Sequence, residues 1–216
     1  MEKRIGENSE ERMIKAIIFD LGGVLVRTED PQQRKALGER LGMSYEEISG
    51  LVYQRESSLL ATRGEITAEE HWQNIQDELG LNDTELEEFK DEFWGGDALD
   101  EVLVEFIRGL GLHYTTALLS NAWDDLRGVL TEVWEIDDIF DRIFISAEIG
   151  MAKPEDEIYT HVIEELGFQP GEMVFIDDFP ENVQAARENG INAIHFRSRE
   201  QTLGELRELL DNPLYL

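Results

Sequence analysis

Two kinds of apolar pattern run along this chain. Short stretches rich in β-branched and aromatic residues, at 13–19, 113–119, 142–146, 172–176 and 191–196, read as strands. Their continuous apolar character marks them as covered on both faces. Between the later strands, apolar positions recur with helical period near 99–110, 123–134, 155–166, 181–189 and 200–210. Gly167 and Gly190 stand where helices would stop, and Pro180 where one would start. This alternation predicts an α/β core, a doubly wound parallel sheet.

One interval breaks the alternation. From residue 28 to 96 only helical patterns occur, among them "PQQRKALGERLG", "SYEEISGLVYQRESSLLA" and "TAEEHWQNIQDELG". A helical insert directly after the first strand predicts a small α-helical cap on a core made of residues 13–27 and 97–216. Gly95 and Gly96 are the expected hinge, and Trp72, Phe89, Phe93 and Trp94 the expected core of the insert. Residues 1–12 read as a polar extension ahead of Met13.

Composition narrows the function classes. A chain of 216 residues with 41% hydrophobic content suits one domain, or a core with a modest insert. It contains no cysteine, which removes disulfides and thiolate metal sites and fits a reducing compartment. No apolar run reaches the roughly 18 residues of a membrane span, and the N-terminus lacks the apolar centre of a signal peptide, so a cytoplasmic location is expected. The formal net charge of −29 would repel phosphate backbones and anionic membranes; neither nucleic acid nor membrane is an expected partner. An anionic substrate would need a local positive charge.

Open parallel sheets bind ligands at the carboxyl ends of their strands. In this sequence Asp20 ends the first strand, Ser120 and Asn121 end "YTTALLS", and Asp177 and Asp178 end "EMVFID". Lys153 follows "RIFIS" by one short loop. Singly, these are ordinary turn and capping residues. Together they bring three carboxylates, a hydroxyl and an ammonium to one sheet edge. Clustered carboxylates repel unless a cation holds them, and an oxygen-only set suits Mg²⁺ together with a substrate phosphate. Asp20, on a glycine-loosened turn, then has the position of a nucleophile.

The segments "IIFDLGGVLV", "ALLSNAWDDL", "GMAKPEDEIY" and "VFIDDFPENVQAARENGI" resemble the four motifs of the haloacid dehalogenase superfamily, in order. With "TRGEIT" in the insert, they are similar to its α-glucose-1-phosphate phosphatases and the phosphatase domain of epoxide hydrolases. The resemblance implies a Rossmann-like core and a magnesium-dependent phosphatase of small phosphorylated metabolites, working through an aspartyl-phosphate. It implies Asp20 as nucleophile and metal ligand, and Ser120, Asn121 and Lys153 as phosphate-binding. By the same resemblance Lys153 would also steady the nucleophile, Asp178 would be the principal acidic metal ligand, Asp177 an outer or second ligand, and the Gly22 carbonyl would complete the metal site.

Gly22 is also where the sequence departs from the family pattern, which has a second Asp two residues after the nucleophile. That group protonates the leaving alcohol, help worth ~10²–10⁴ in rate. Two rival readings remain at this point: carbon–halogen hydrolysis, which needs neither the second Asp nor magnesium, and a phosphate- or metal-binding protein that no longer turns over. The histidines His71, His113, His161 and His195 show no metal-type spacing.

Overall fold

The computed structural model describes residues 13–210, and the extension expected over 1–12 lies outside them. Seven strands occur among the described residues: β1 (Ala16–Phe19), β2 (Val26–Thr28), β3 (Asp97–Leu99), β4 (Thr115–Ser120), β5 (Arg142–Ile145), β6 (Met173–Asp177) and β7 (Asn192–His195). Five of them form one parallel sheet in the order β5-β4-β1-β6-β7. Successive side chains of a strand point to opposite faces. Ile17, Phe19, Leu118, Val174 and Ile176 therefore enter one buried cluster, and Ala16, Ile18, Ala117, Leu119, Met173 and Phe175 another. Both faces are dry, which is why these strands are apolar throughout rather than alternating.

The chain runs from β1 to β4 and β5 on one side, then crosses to β6 and β7 on the other. β1 is thus the switch point, where open α/β sheets form a crevice. Phe19 pairs with Leu118 and with Ile176, so the next residue, Asp20, comes level with Leu119 and Asp177. Helices Glu101–Leu110, Asp156–Leu166, Pro180–Glu188 and Arg199–Leu209 follow the periodicity closely. The helix expected over 123–134 is replaced by a helical turn, Leu126–Gly128, that runs into a π-helical turn, Val129–Val133. Residues 121–124 are held away from it by contacts described below. No helix among the described residues is long and apolar enough to cross a membrane.

Between β2 and β3 lie five helices: Gln32–Leu41, Tyr45–Tyr53, Glu56–Thr62, Ala68–Leu79 and Asp83–Trp94. Three begin with reciprocal capping boxes, Ser44 with Glu47, Thr67 with Glu70 and Asn82 with Glu85. Each box satisfies two otherwise unpaired N–H groups and places a carboxylate at the positive end of the helix. These helices share their own apolar cluster, including Leu37, Ile48, Leu51, Ile75, Phe89 and Phe93. Trp72 joins it, but Trp94 remains 39% exposed, edge-on to Phe93.

The sequence pattern shows no strand at the two ends of this insert, yet β2 and β3 pair there as a short antiparallel stem. Three-residue strands are too short for any periodicity to reveal. The stem closes tightly: a Cβ on Gly96 would lie 1.8 Å from the Asp30 carbonyl. Arg34, buried in the first of the five helices, donates to the Phe93 carbonyl and forks onto both Asp97 oxygens at 3.2 Å.

Asp100, directly after β3, ties this stem to the core. Its buried carboxylate accepts from Arg27 of β2 at 2.8 Å, Arg199 at 2.7 Å and the Leu103 N–H at 3.0 Å. Burial pushes the carboxyl up, but these donors outweigh it and hold it below the usual carboxylate range. Because the folded-state pKa is depressed, this stabilisation is present above the unfolded value of about 3.9 and is lost as pH falls through the folded one. Asp100→Ala should cost about 3 kcal/mol in urea unfolding at neutral pH, since it removes a helix cap and the buried carboxylate that Arg27 and Arg199 share. A cost below about 0.5 kcal/mol, within the range of an ordinary surface substitution, would contradict this assignment.

Candidate active site

Asp20 leaves the end of β1 buried, with its backbone N–H still bonded to Ile176 O of β6 at 2.9 Å. Its Oδ1 accepts from the Leu21 N–H at 2.7 Å and from Lys153 Nζ at 2.9 Å. The same ammonium lies 2.7 Å from Asp177 Oδ2 and donates to Leu119 O at 3.0 Å. Lys153, Asp20 and Asp177 are all withdrawn from water. Burial works against the lysine charge, but Asp20 and Asp177 outweigh it and raise its pKa.

The turn after Asp20 explains its glycines. Gly23 has φ +76°, and a Cβ there would lie 2.1 Å from Asp178 Oδ2. It is therefore doubly required, by its left-handed backbone and by the carboxylate packed against it. Gly22 differs. A Cβ there would meet nothing within 4 Å, and its φ lies outside the left-handed region.

Asp177 is fully enclosed. Oδ1 accepts from the Phe179 N–H at 2.8 Å and from Asn182 Nδ2 at 3.0 Å, and Oδ2 faces Lys153. Asp178 is half-buried, and its Oδ1 lies out of contact with solvent with no hydrogen-bond partner among the described residues. Asp20, Asp177 and Asp178 each bring an oxygen within 4.8 Å of the others. Three carboxylates thus face one ammonium. Burial, chiefly, drives Asp20 up to about 7 against the pull of Lys153, with Asp177 adding; burial and then Asp177 drive Asp178 up to about 6. A hard divalent cation would relieve both effects, and the oxygen-only set with one orphaned buried oxygen fits Mg²⁺.

Ser120 is buried at the end of β4, one strand from Asp20. Asn121 follows it, and its side chain is turned to the loop carrying the lysine. Asn121 Oδ1 accepts from the Lys153 N–H at 2.9 Å, while Nδ2 donates to the Lys153 carbonyl at 2.8 Å. The structure therefore brings Asp20, Gly22, Ser120, Asn121, Lys153, Asp177 and Asp178 to one sheet edge. Two further residues escape the sequence reading. Asn182 donates to both Asp177 oxygens, and His195 Nε2 donates to the Asp178 carbonyl at 2.9 Å. The only sequence signal for Asn182 is its place one helical turn into "FPENVQ".

The sesquiterpene phosphatase astK of Aspergillus oryzae is 29% identical over 201 residues, covering 91% of this chain and 96% of that protein. The D-ribitol-5-phosphate phosphatase of Bacteroides thetaiotaomicron is 26% identical over 208 residues, 93% of this chain and all of the relative. A HAD family enzyme from B. thetaiotaomicron, solved in complex with magnesium and inorganic phosphate, superposes with a TM-score of 0.72 at 26% identity, over 86% of this chain and 96% of its own. The profile of the haloacid dehalogenase-like hydrolases matches residues 14–190, a span that runs from before Asp20 to beyond Asn182, and the chain belongs to that family.

Proposed function

We propose that this protein is a magnesium-dependent phosphatase of small, sugar-phosphate-type monoesters that works through an aspartyl-phosphate on Asp20. The observation that carries the reading is the buried Lys153 ammonium bridging Asp20 and Asp177, beside an Asp178 oxygen with no hydrogen-bond partner among the described residues. The magnesium- and phosphate-bound relative and the two phosphatases support it.

Asp20, Asp178 and the Gly22 carbonyl would hold the cation. Asp177 acts through Lys153 and Asn182, because both its oxygens already accept from protein donors. When bound, magnesium supplies positive charge to the phosphoryl oxygens and to the clustered carboxylates. The bonds from Leu21 N–H and Lys153 fix the Asp20 carboxylate so that it need not reorient to attack. A bond forms from an Asp20 carboxylate oxygen to phosphorus, and the ester P–O bond breaks with its electrons going to the leaving oxygen, which departs as an alkoxide or phenoxide and takes its proton from water. Water then attacks the phosphoryl group, releasing inorganic phosphate and restoring the carboxylate. Lys153, the Ser120 hydroxyl and the Asn121 backbone N–H stabilise the charge on the phosphoryl oxygens. The five helices between β2 and β3 serve as a cap that covers this cleft.

Of the rival readings, carbon–halogen hydrolysis sits poorly with Asp178, whose carboxylate would repel a haloacid's own. A protein that only binds phosphate would not need a nucleophile clamped by lysine.

At Gly22 the leaving alcohol has no carboxyl group to protonate it. Aryl and anomeric phosphates should therefore be hydrolysed much faster than primary alkyl phosphates such as glucose-6-phosphate. Gly22→Asp has open space and unstrained backbone, and should raise turnover of the poor leaving groups by ~10-fold or more. A series of esters graded by leaving-group pKa, run on both proteins, measures this; a flat dependence in the native protein would mean that another group supplies the proton. A second expectation concerns the cation and the nucleophile. Chelation with EDTA should abolish turnover and magnesium restore it, while Asp20→Asn should lower kcat by at least ~10³-fold with an intact fold. Near-native turnover by purified Asp20→Asn would remove Asp20 from the reaction.

A further inference from the structure

The loop that follows Ser120 and Asn121 is held by the helical insert rather than by the sheet alone. Trp123 stands three residues past the end of β4, yet it is buried in the apolar cluster of the insert. Among the described residues, every other buried member of that cluster lies between Leu37 and Phe93. Its ring meets Trp72 edge-on, with centroids 5.5 Å apart, and lies 4.6 Å from the His71 ring. His71 is itself fixed, with Nε2 against the Val52 carbonyl at 3.0 Å and Nδ1 against Ser57 Oγ at 2.8 Å. The next residue, Asp124, accepts from the Ala68 N–H at 2.8 Å. Ala68 opens the helix Ala68–Leu79, so this carboxylate satisfies one of the free N–H groups at the helix's positive end.

The same few residues also carry the phosphate-binding side of the site. Asn121 clamps the backbone of Lys153 with two bonds, and Ala122 exchanges two 3.0 Å bonds with Ser146 Oγ. A second contact between insert and core is weaker. Gly64, at φ +69°, lets its turn come so close to the Ala147 carbonyl that a Cβ would lie 2.1 Å away. Beside it Arg63 pairs with Glu155, but these side chains are 38% and 40% exposed, where an ion pair contributes little. The buried aromatic contact and the helix cap are the stronger coupling.

We infer that Trp123 and Asp124 are positioning residues, through which the docked helical insert sets the loop of Ser120 and Asn121 and, by way of Asn121, the neighbouring loop of Lys153, where phosphate is received. This rests on the phosphatase reading for its functional consequence, though not for its structural one. The insert then completes the phosphate site in addition to covering it. Loosening Trp123 frees Asn121, which in turn frees the backbone of Lys153 and misplaces its ammonium.

The test separates the two parts. Amide hydrogen exchange on the metal-free protein reads Lys153 and Ala122, whose N–H groups are held by the side chains of Asn121 and Ser146. Trp123→Ala should speed exchange at both amides by ~10-fold or more, with Asp124→Ala giving a smaller rise and Trp123→Phe restoring protection. Phe89→Leu, which disturbs the same apolar cluster one ring removed from the loop, on the far side of Trp72, should leave both amides protected. In assays of phosphate-ester hydrolysis with magnesium, Trp123→Ala should lower kcat/KM by ~10–100-fold, the effect of a misplaced phosphate-binding group, and Trp123→Phe should recover most of it. Equal deprotection by Phe89→Leu, or unchanged exchange in Trp123→Ala, would overturn the coupling. Should Trp123→Ala fail to fold, Asp124→Ala and Trp123→Phe carry the same comparison. A native protein with no phosphatase activity would defeat the functional reading, and the exchange result alone would then decide the coupling.

Discussion

The site is organised by one ammonium. Lys153 Nζ lies 2.9 Å from Asp20 and 2.7 Å from Asp177, and both carboxylates are shut away from water. Moving an ion out of water costs several kcal/mol, and two carboxylates at close range add mutual repulsion. The lysine offsets part of this. What remains is a cluster with more negative than positive charge, in which Asp20 and Asp178 are both pushed towards protonation. A folded chain tolerates such an arrangement when an outside cation completes it, and on that basis the proposed function has a physical motive as well as a family resemblance.

Holding that ammonium in place accounts for much of the surrounding structure. The lysine comes from the loop after β5, while its partners come from β1 and β6, so three segments distant in sequence must meet within a fraction of an ångström. The sheet register sets two of them, because Phe19 pairs with Ile176 and brings Asp20 level with Asp177. The third is set by side chains: Asn121 grips the lysine backbone, and the lysine itself donates to the Leu119 carbonyl. Asn182 keeps Asp177 from turning away, and His195 steadies the carbonyl next to the Asp178 side chain. A chain with a formal charge of −29 repels a phosphorylated substrate, so Lys153 together with a bound cation would have to supply the local positive charge that admits one.

Much of this was legible in the sequence, for identifiable reasons. Strands buried on both faces give unbroken apolar runs, so all five members of the parallel sheet stood out. The acids that close β1 and β6 were conspicuous because they follow such runs directly. The stem of β2 and β3 was invisible, since three residues carry no period. Side-chain direction was equally hidden: nothing in "SNAWDD" tells that Asn121 turns to Lys153, or that Trp123 leaves the core to pack beside Trp72. Those are tertiary choices, made by which partner offers an unpaired group or an apolar gap. Gly22 and Gly23 look alike in sequence, but only Gly23 is demanded by its backbone and by the carboxylate against it.

In the proposed reaction the Asp20 carboxylate becomes covalently bonded to phosphorus. With no carboxyl group at Gly22 to activate water, that intermediate should break down slowly and accumulate. The most direct measurement is acid quenching of the protein during turnover of an aryl phosphate with magnesium, followed by borohydride reduction and peptide mass spectrometry. An acyl phosphate on Asp20 is reduced to homoserine, and that conversion is expected at Asp20 during turnover and lost when magnesium is withheld. Turnover of the ester with Asp20 unmodified, or with the label on a different residue, would contradict it.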